Sequence, residues 1–192
     1  MNRTGIAHFA RVGLMAALLL LAAQPIAAQS GASKGSSVRG YEYTGAYGQL
    51  GAAVGKVNAR GDSGDASGGF TLTGGYRILP WLAADGNFTY LGNDDDEFFS
   101  FTFGPKVYPL GLFKVAAIPS FIQPYGLIGL GGGQFDTDGV NDKGSFIARF
   151  ILGSDFWLTD HFGLFVEGGG HAASADHVNG AGIFTVGGQY RF

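Results

Sequence analysis

The chain contains no cysteine in its 192 residues. A disulfide framework, a thiol nucleophile and a cysteine-held zinc are therefore excluded. Charge is scarce as well, at 14% of residues, against about 25% in an ordinary soluble domain. The formal net charge of −3 leaves no basic footprint for nucleic acid. Beyond the N-terminal region no stretch approaches the ~20 apolar residues that a membrane helix needs, so any later crossing of a membrane must be made by strands. What is abundant is glycine, with 35 residues, and aromatic side chains, with 17 Phe and 8 Tyr. That content is too aromatic for a disordered chain. Glycine weakens a flat strand but suits strands that curve and crowd. The length is that of one domain.

Residues 1–28 have the pattern of a secretory signal. Arg3 and Arg11 form a positive n-region, positions 12–23 are apolar with Leu18, Leu19, Leu20 and Leu21 at the centre, and the small pair Ala27 and Ala28 precedes Gln29. A transmembrane anchor is the alternative, but the run is short for a spanning helix and ends at Pro25. Cleavage after Ala28 removes two arginines and no acid, leaving a more acidic mature chain. Residues 29–40 are small and polar and read as a flexible leader, so 41–192 is the folded domain.

Within 41–192 the dominant pattern is alternation with period two, the signature of strands with one apolar face. Phe99, Phe101 and Phe103 alternate with Ser100, Thr102 and Gly104; Phe70, Leu72, Tyr76 and Ile78 with Thr71, Thr73, Gly75 and Arg77; Phe184, Val186, Tyr190 and Phe192 with Thr185, Gly187, Gln189 and Arg191. Segments around 82–90, 146–153 and 164–167 behave alike. Two more, near 43–54 and 123–133, are strand-like but too rich in glycine for their faces to be assigned, which makes eight strands of about 9–11 residues. Long polar links are expected at 55–69, 92–97, 134–144 and 171–181, and short ones at Leu79-Pro80-Trp81 and Leu158-Thr159-Asp160-His161. Such asymmetry fits a transmembrane barrel, with long loops outside and tight turns at the periplasm. The apolar link at 109–122 breaks that rule.

A soluble sandwich also alternates, but its outward face would be rich in Lys, Glu and Thr. Here the polar sides carry little charge, and Phe and Tyr cluster near strand ends, where aromatic girdles meet lipid interfaces. The pattern predicts an all-β, eight-stranded antiparallel up-and-down transmembrane β-barrel. Eight strands leave an interior just wide enough for side chains to fill.

At its C-terminal end the chain reads Thr185-Val186-Gly187-Gly188-Gln189-Tyr190-Arg191-Phe192. This resembles the assembly signal of the small outer-membrane barrels of the outer-membrane protein A-like type, within the broad porin-like outer-membrane β-barrel family. The stretch from Gly153 through Trp157, Asp160 and His161 to Leu164, and Pro124-Tyr125-Gly126, are similar to the same family. The resemblance covers about 40–192. It implies a bacterial outer-membrane location after export, contact with outer-membrane lipid and lipopolysaccharide, and insertion by the barrel assembly machinery reading Gly187, Tyr190 and Phe192. Many relatives carry a further peptidoglycan-binding domain; this chain ends with the barrel, so a cell-wall anchoring role does not transfer.

Strand parity puts Arg77, Asp85, Lys106, Arg149, Asp155, Glu167 and Arg191 on the lumen side. Both signs are present, so a buried network that plugs the barrel is expected, because unpaired charge in a narrow interior is costly. A gate or selectivity element in a narrow porin for small solutes or ions is the alternative. The acids Asp94, Asp95, Asp96 and Glu97, with Asp136, Asp138 and Asp142, match no calcium loop and read as solvated loop charge. Gly129 to Gly133 is no phosphate loop, since no helix follows. Barrels that deacylate lipid A carry a His-x-Ser-Asn arrangement; here His177-Val178-Asn179-Gly180 lacks the serine, and Ser174 lies three residues beyond His171, on the opposite strand face. His171 and His177 read as loop residues. No enzyme, metal or cofactor is expected, no nucleic-acid partner, and a monomer.

Overall fold

The computed structural model describes residues 42–59, 62–93, 96–113, 118–137, 140–174 and 178–192. The expected signal and leader lie outside the described residues, as do Asp94, Asp95, Asp138 and His177 and the side chains of Asp96, Asp142 and Asn179.

Eight strands follow one another: β1 (Gly45–Ala59), β2 (Asp62–Leu79), β3 (Leu82–Gly92), β4 (Asp96–Val107), β5 (Ile122–Thr137), β6 (Val140–Trp157), β7 (Phe162–Ala173) and β8 (Val178–Arg191). Each pairs antiparallel with its sequence neighbours, and β8 returns to β1 in a ladder from Tyr47↔Arg191 to Ala59↔Val178, so the sheet closes into an up-and-down barrel. Closure follows from the alternation. One face of every strand is apolar with no second sheet to cover it, and a closed sheet leaves no unpaired edge.

The strands run from 11 to 18 residues, longer than the 9–11 expected. The polar segments expected as long links are mostly strand: Ala59 pairs with Asp62, and Thr137 with Val140. Two neighbouring strands that leave the apolar belt together keep their ladder, because pairing satisfies backbone groups whatever the side chains. Small polar residues hid this by breaking the apolar alternation. The short turns at 80–81 and 158–161 are present. Thr159 holds the second, its Oγ1 accepting from the Phe162 amide at 2.8 Å. The 109–122 link begins with a 3-10 turn, Pro109–Gly111, that buries Leu110 and exposes Leu112 and Phe113.

Outward positions carry exposed large side chains, among them Phe99, Phe101, Phe103, Phe146, Phe150 and Leu152, the last 75% exposed. An apolar belt on this scale is not a water-facing surface. Inward positions alternate with them and are buried. Glycine serves the inward face by close approach. A Cβ on Gly75 would stand 2.5 Å from the Tyr47 ring, and one on Gly153 2.5 Å from the Tyr125 ring. Each tyrosine lies flat over a glycine of the neighbouring strand, which lets two large rings share a narrow bore.

Gly75→Val should therefore destabilise the barrel by about 1–3 kcal/mol through overpacking. Its outward neighbour Gly74, where a Cβ meets nothing within 4 Å, should accept Ala without measurable loss. Urea unfolding in detergent compares the two; equal midpoints would refute the close-approach argument.

Candidate functional site: the filled interior

All seven charged residues singled out by parity, Arg77, Asp85, Lys106, Arg149, Asp155, Glu167 and Arg191, are buried inside the barrel. They do not form one cluster. The register sets them at successive heights from the end where the chain termini lie.

Nearest that end, Arg77 donates through Nη1 to Gln123 Oε1 at 2.6 Å and through Nε to the Pro80 carbonyl at 3.0 Å. Arg191 donates to the same Gln123 oxygen at 3.2 Å and stacks its guanidinium 3.3 Å from the Trp157 ring centre. Both guanidiniums lie over aromatic rings, Arg77 at 4.0 Å from Tyr108 and Arg191 at 4.2 Å from Tyr43. This delocalised cation tolerates such desolvation better than an ammonium does.

The next layer surrounds Lys106. Its Nζ sits 3.8 Å over the Tyr125 ring, with Tyr47 at 5.2 Å and Tyr108 at 5.4 Å, and 3.8 Å from Asp85 Oδ2. Tyr47 donates its hydroxyl to Asp85, and Tyr108 donates to Asp155 at 3.1 Å. Gln49 links the layer across the bore, donating to Asp155 at 3.3 Å and to Gln189 at 2.9 Å. Further along, Arg149 and Glu167 form an ion pair at 2.9 Å, and Tyr125 donates to the free oxygen of Glu167 at 3.0 Å.

Beyond Arg149 the interior changes character. Leu91, Phe98, Phe135 and Ile147 are buried there, and Phe98 stacks on Phe135 with ring centres 4.6 Å apart. Leu91, Phe98 and Phe135 face one another in a row across β3, β4 and β5. The bore is thus charged toward the termini, while toward the far end apolar side chains predominate, with Ser100, Ser145 and His171 buried among them.

His171 corrects the expectation of a loop histidine. It lies in β7, 3% exposed, opposite Arg149 in the register and 5.2 Å from the Phe98 ring. The ladder of β7 continues past the point where glycines made the segment look like a link. Ser174 stands apart from it, its Oγ accepting from the Phe146 amide at 3.2 Å. Of the C-terminal residues, Tyr190 and Phe192 face outward and Arg191 inward; Tyr190 meets Phe162 at 4.9 Å and Phe192 at 5.1 Å. Asp136 and Glu97 are exposed. Among the described residues no His, Cys, Asp or Glu cluster could hold a metal ion.

Gln189 falls on the inward parity already read for β8, but the three tyrosines, the glutamines Gln49 and Gln123, and the apolar residues of the far half were not read from sequence. Their signal was available. Tyr47 shares parity with Gln49, and Tyr125 with Gln123, but glycine-rich neighbours obscured both faces.

A closed eight-stranded antiparallel sheet, apolar outside and packed with charge and tyrosine inside, is the architecture of a transmembrane barrel. The chain belongs to the outer membrane protein beta-barrel domain family. That family's model matches residues 14–192. No curated protein sequence matches the chain. Among solved structures, Neisserial surface protein A superposes with a TM-score of 0.62 at 19% identity, covering 83% of this chain and 100% of that one. Ail, the attachment invasion locus protein of Yersinia pestis, gives 0.55 at 22% identity, covering 78% and 100%. OprG of Pseudomonas aeruginosa gives 0.54 at 17%, covering 81% and 99%. At these identities the likeness is one of fold. As a member of this family the chain is a bacterial outer-membrane protein, and its apolar belt faces lipid.

Two measurements probe the interior. Removing one partner of the Arg149–Glu167 pair, as in Glu167→Leu, should cost about 3–5 kcal/mol by stranding a buried charge, and the double change Arg149→Met with Glu167→Leu should recover most of it. Additive losses in a double-mutant cycle would refute the pairing. His171, whose ring nitrogens have no hydrogen-bond partner among the described residues, should become a stabilising position when changed to Leu. A gain of about 1–3 kcal/mol is expected from removing the buried polar atoms, and a loss of stability in the same unfolding assay would contradict it.

Proposed function

We propose that this protein is a sealed outer-membrane barrel whose work is structural or done at the cell surface, with its interior network acting as a plug and not as a channel. The observation that carries this is the double filling of the bore. The tyrosine cage around Lys106 occupies the half near the termini, and the Phe98–Phe135 stack with Leu91 and Ile147 occupies the other. A solute would have to displace both. Catalysis has no support in this reading: His171 points into the apolar half, and Ser174 bonds to a backbone amide.

The proposal includes removal of residues 1–28 on export, a leader over 29–40, insertion guided by Gly187, Tyr190 and Phe192, and a monomer in lipid. Outward rings at Tyr190 and Phe192 agree with a strand that is read from its lipid side.

Surface contacts would be made at the end opposite the termini. The segments 55–69, 92–97, 134–144 and 171–181 hold ten Asp and Glu against Lys56, Arg60 and Lys143. Ail of Yersinia pestis has been crystallised with the heparin analogue sucrose octasulfate. Such a polyanion would be repelled by the acidic end of this chain, and a cationic surface would be attracted.

Reconstitution in a planar bilayer tests the plug. The wild-type protein should show no steady single-channel steps. Phe98→Ala with Phe135→Ala should stay closed as well, because the tyrosine layer remains. Regular steps from the wild type would establish a narrow porin and end the sealed reading.

A further inference from the structure

The lipid-facing wall is not uniform. Over β4 to β7 it is hollowed: an apolar groove of about 610 Å³ passes over Gly126 and Gly168 between Ile128, Phe150 and Leu152. At Phe150 and Gly170 it meets a second hollow of about 340 Å³ floored by Gly170, Ala172, Gly180 and Gly182. The register aligns them, with Phe150 opposite Gly170, Gly170 opposite Gly182, and Gly182 opposite Lys56 of β1.

At Gly168 and Gly182 the barrel's own packing does not require glycine. Gly180 differs, with φ +144° and a Cβ there striking the His171 carbonyl oxygen, and a Cβ on Gly170 would stand 3.1 Å from the Ala181 carbonyl oxygen. Inside the bore, a Cβ on Gly75 or Gly153 would strike a ring; on the wall, a Cβ at Gly182 meets nothing within 4 Å, and one at Gly168 makes ordinary contacts with the Phe184 ring at 3.7 Å and the Ile183 carbonyl oxygen at 3.9 Å. Beside the second hollow, paired with Gly182 across the β1–β8 ladder, stands Lys56, exposed, while Arg77, Lys106, Arg149 and Arg191 are all buried. Lys56 lies near the end of β1 away from the termini, which is the outer-leaflet side of a barrel with this topology. A lysine on the lipid-facing side of a barrel strand is costly at depth and is tolerated near the interface, where it can meet an anionic headgroup.

We propose that this groove is a binding site for a phosphorylated lipid of the outer leaflet, with lipid A as its occupant. The phosphate pairs with Lys56, and one acyl chain lies along Gly182, Gly170 and Gly168 against Phe150. A chain in a groove touches protein on its floor and wall, where on a convex wall it would touch one side only, and dispersion grows with the number of such contacts. A second copy of the barrel is the rival occupant. A two-fold contact through the same patch would bring the two Lys56 ammoniums toward each other in a medium with little screening, which disfavours it. The inference rests on the outer-membrane orientation of the proposed function but not on the bore being sealed.

Native mass spectrometry of the refolded protein, titrated with purified bisphosphorylated lipid A and separately with the dephosphorylated form, tests it. One lipid should bind per barrel, with clear preference for the phosphorylated form. Gly182→Leu, which fills the floor, should weaken binding roughly tenfold. Lys56→Ser should weaken it about fivefold and abolish the phosphate preference. Gly74→Leu, equally open but on the wall of β2, should leave binding unchanged. A heat-dependent mobility shift on detergent gels checks that each variant folds, and Gly168→Val replaces Gly182→Leu should the latter not fold. Binding that survives filling of the groove, ignores the phosphates or falls equally with Gly74→Leu overturns the site, as does a barrel dimer sensitive to Gly182→Leu. Channel steps in the bilayer experiment would end the sealed reading and leave this one standing.

Discussion

Every backbone amide and carbonyl in the belt has to find its partner within the protein, because hydrocarbon offers none and each unmet group costs several kcal/mol. The pairing of β8 with β1 meets that demand, and much else follows from it. With eight strands the closed sheet encloses a narrow bore. Side chains that point inward have no water to retreat to, so they must fit and satisfy one another. The outward side chains have only one requirement, to be apolar, and Leu, Val, Ile, Phe and Ala share that task interchangeably.

The narrowness of the bore explains the glycines and tyrosines together. A tyrosine reaching across needs a flat place to lie, which Gly75 provides for Tyr47 and Gly153 for Tyr125. Once there, its hydroxyl reaches the acids, so that Asp85, Asp155 and Glu167 each receive a tyrosine hydrogen bond. Those bonds leave the acids partly neutralised by dipoles as well as by Lys106 and Arg149. Buried charge is tolerable only with this kind of multiple partnering. Where the acids end, the charges end too, and the remaining bore is closed by Phe98 and Phe135.

How much was legible in advance depended on which physical rule each residue obeyed. Phe99, Phe101 and Phe103 obey the period-two rule without interruption, and their strand and its outward face could be read directly. Arg77, Asp85 and Arg149 sit between apolar neighbours, so parity alone sent them inward. His171 was misread because Gly168, Gly169 and Gly170 precede it, and glycine carries no side to alternate. The same silence hid Tyr47 and Tyr125. The upper ladders at Ala59↔Asp62 and Thr137↔Val140 were missed for a related reason: their pairing is a backbone matter, and composition records only side chains.

The sequence by itself determined that this chain makes eight strands, that they carry an apolar face suited to lipid, and which charged residues turn away from it. Those facts depend on period and composition, which are local. Only the tertiary structure decided which charges meet, that Lys106 lies among three tyrosines from β1, β5 and the residue that follows β4, that Arg77 and Arg191 share one glutamine, and that an apolar stack closes the far half. Partners across a bore come from strands far apart in the chain. Their meeting depends on the stagger accumulated around a closed sheet, and no segment of sequence carries that quantity alone.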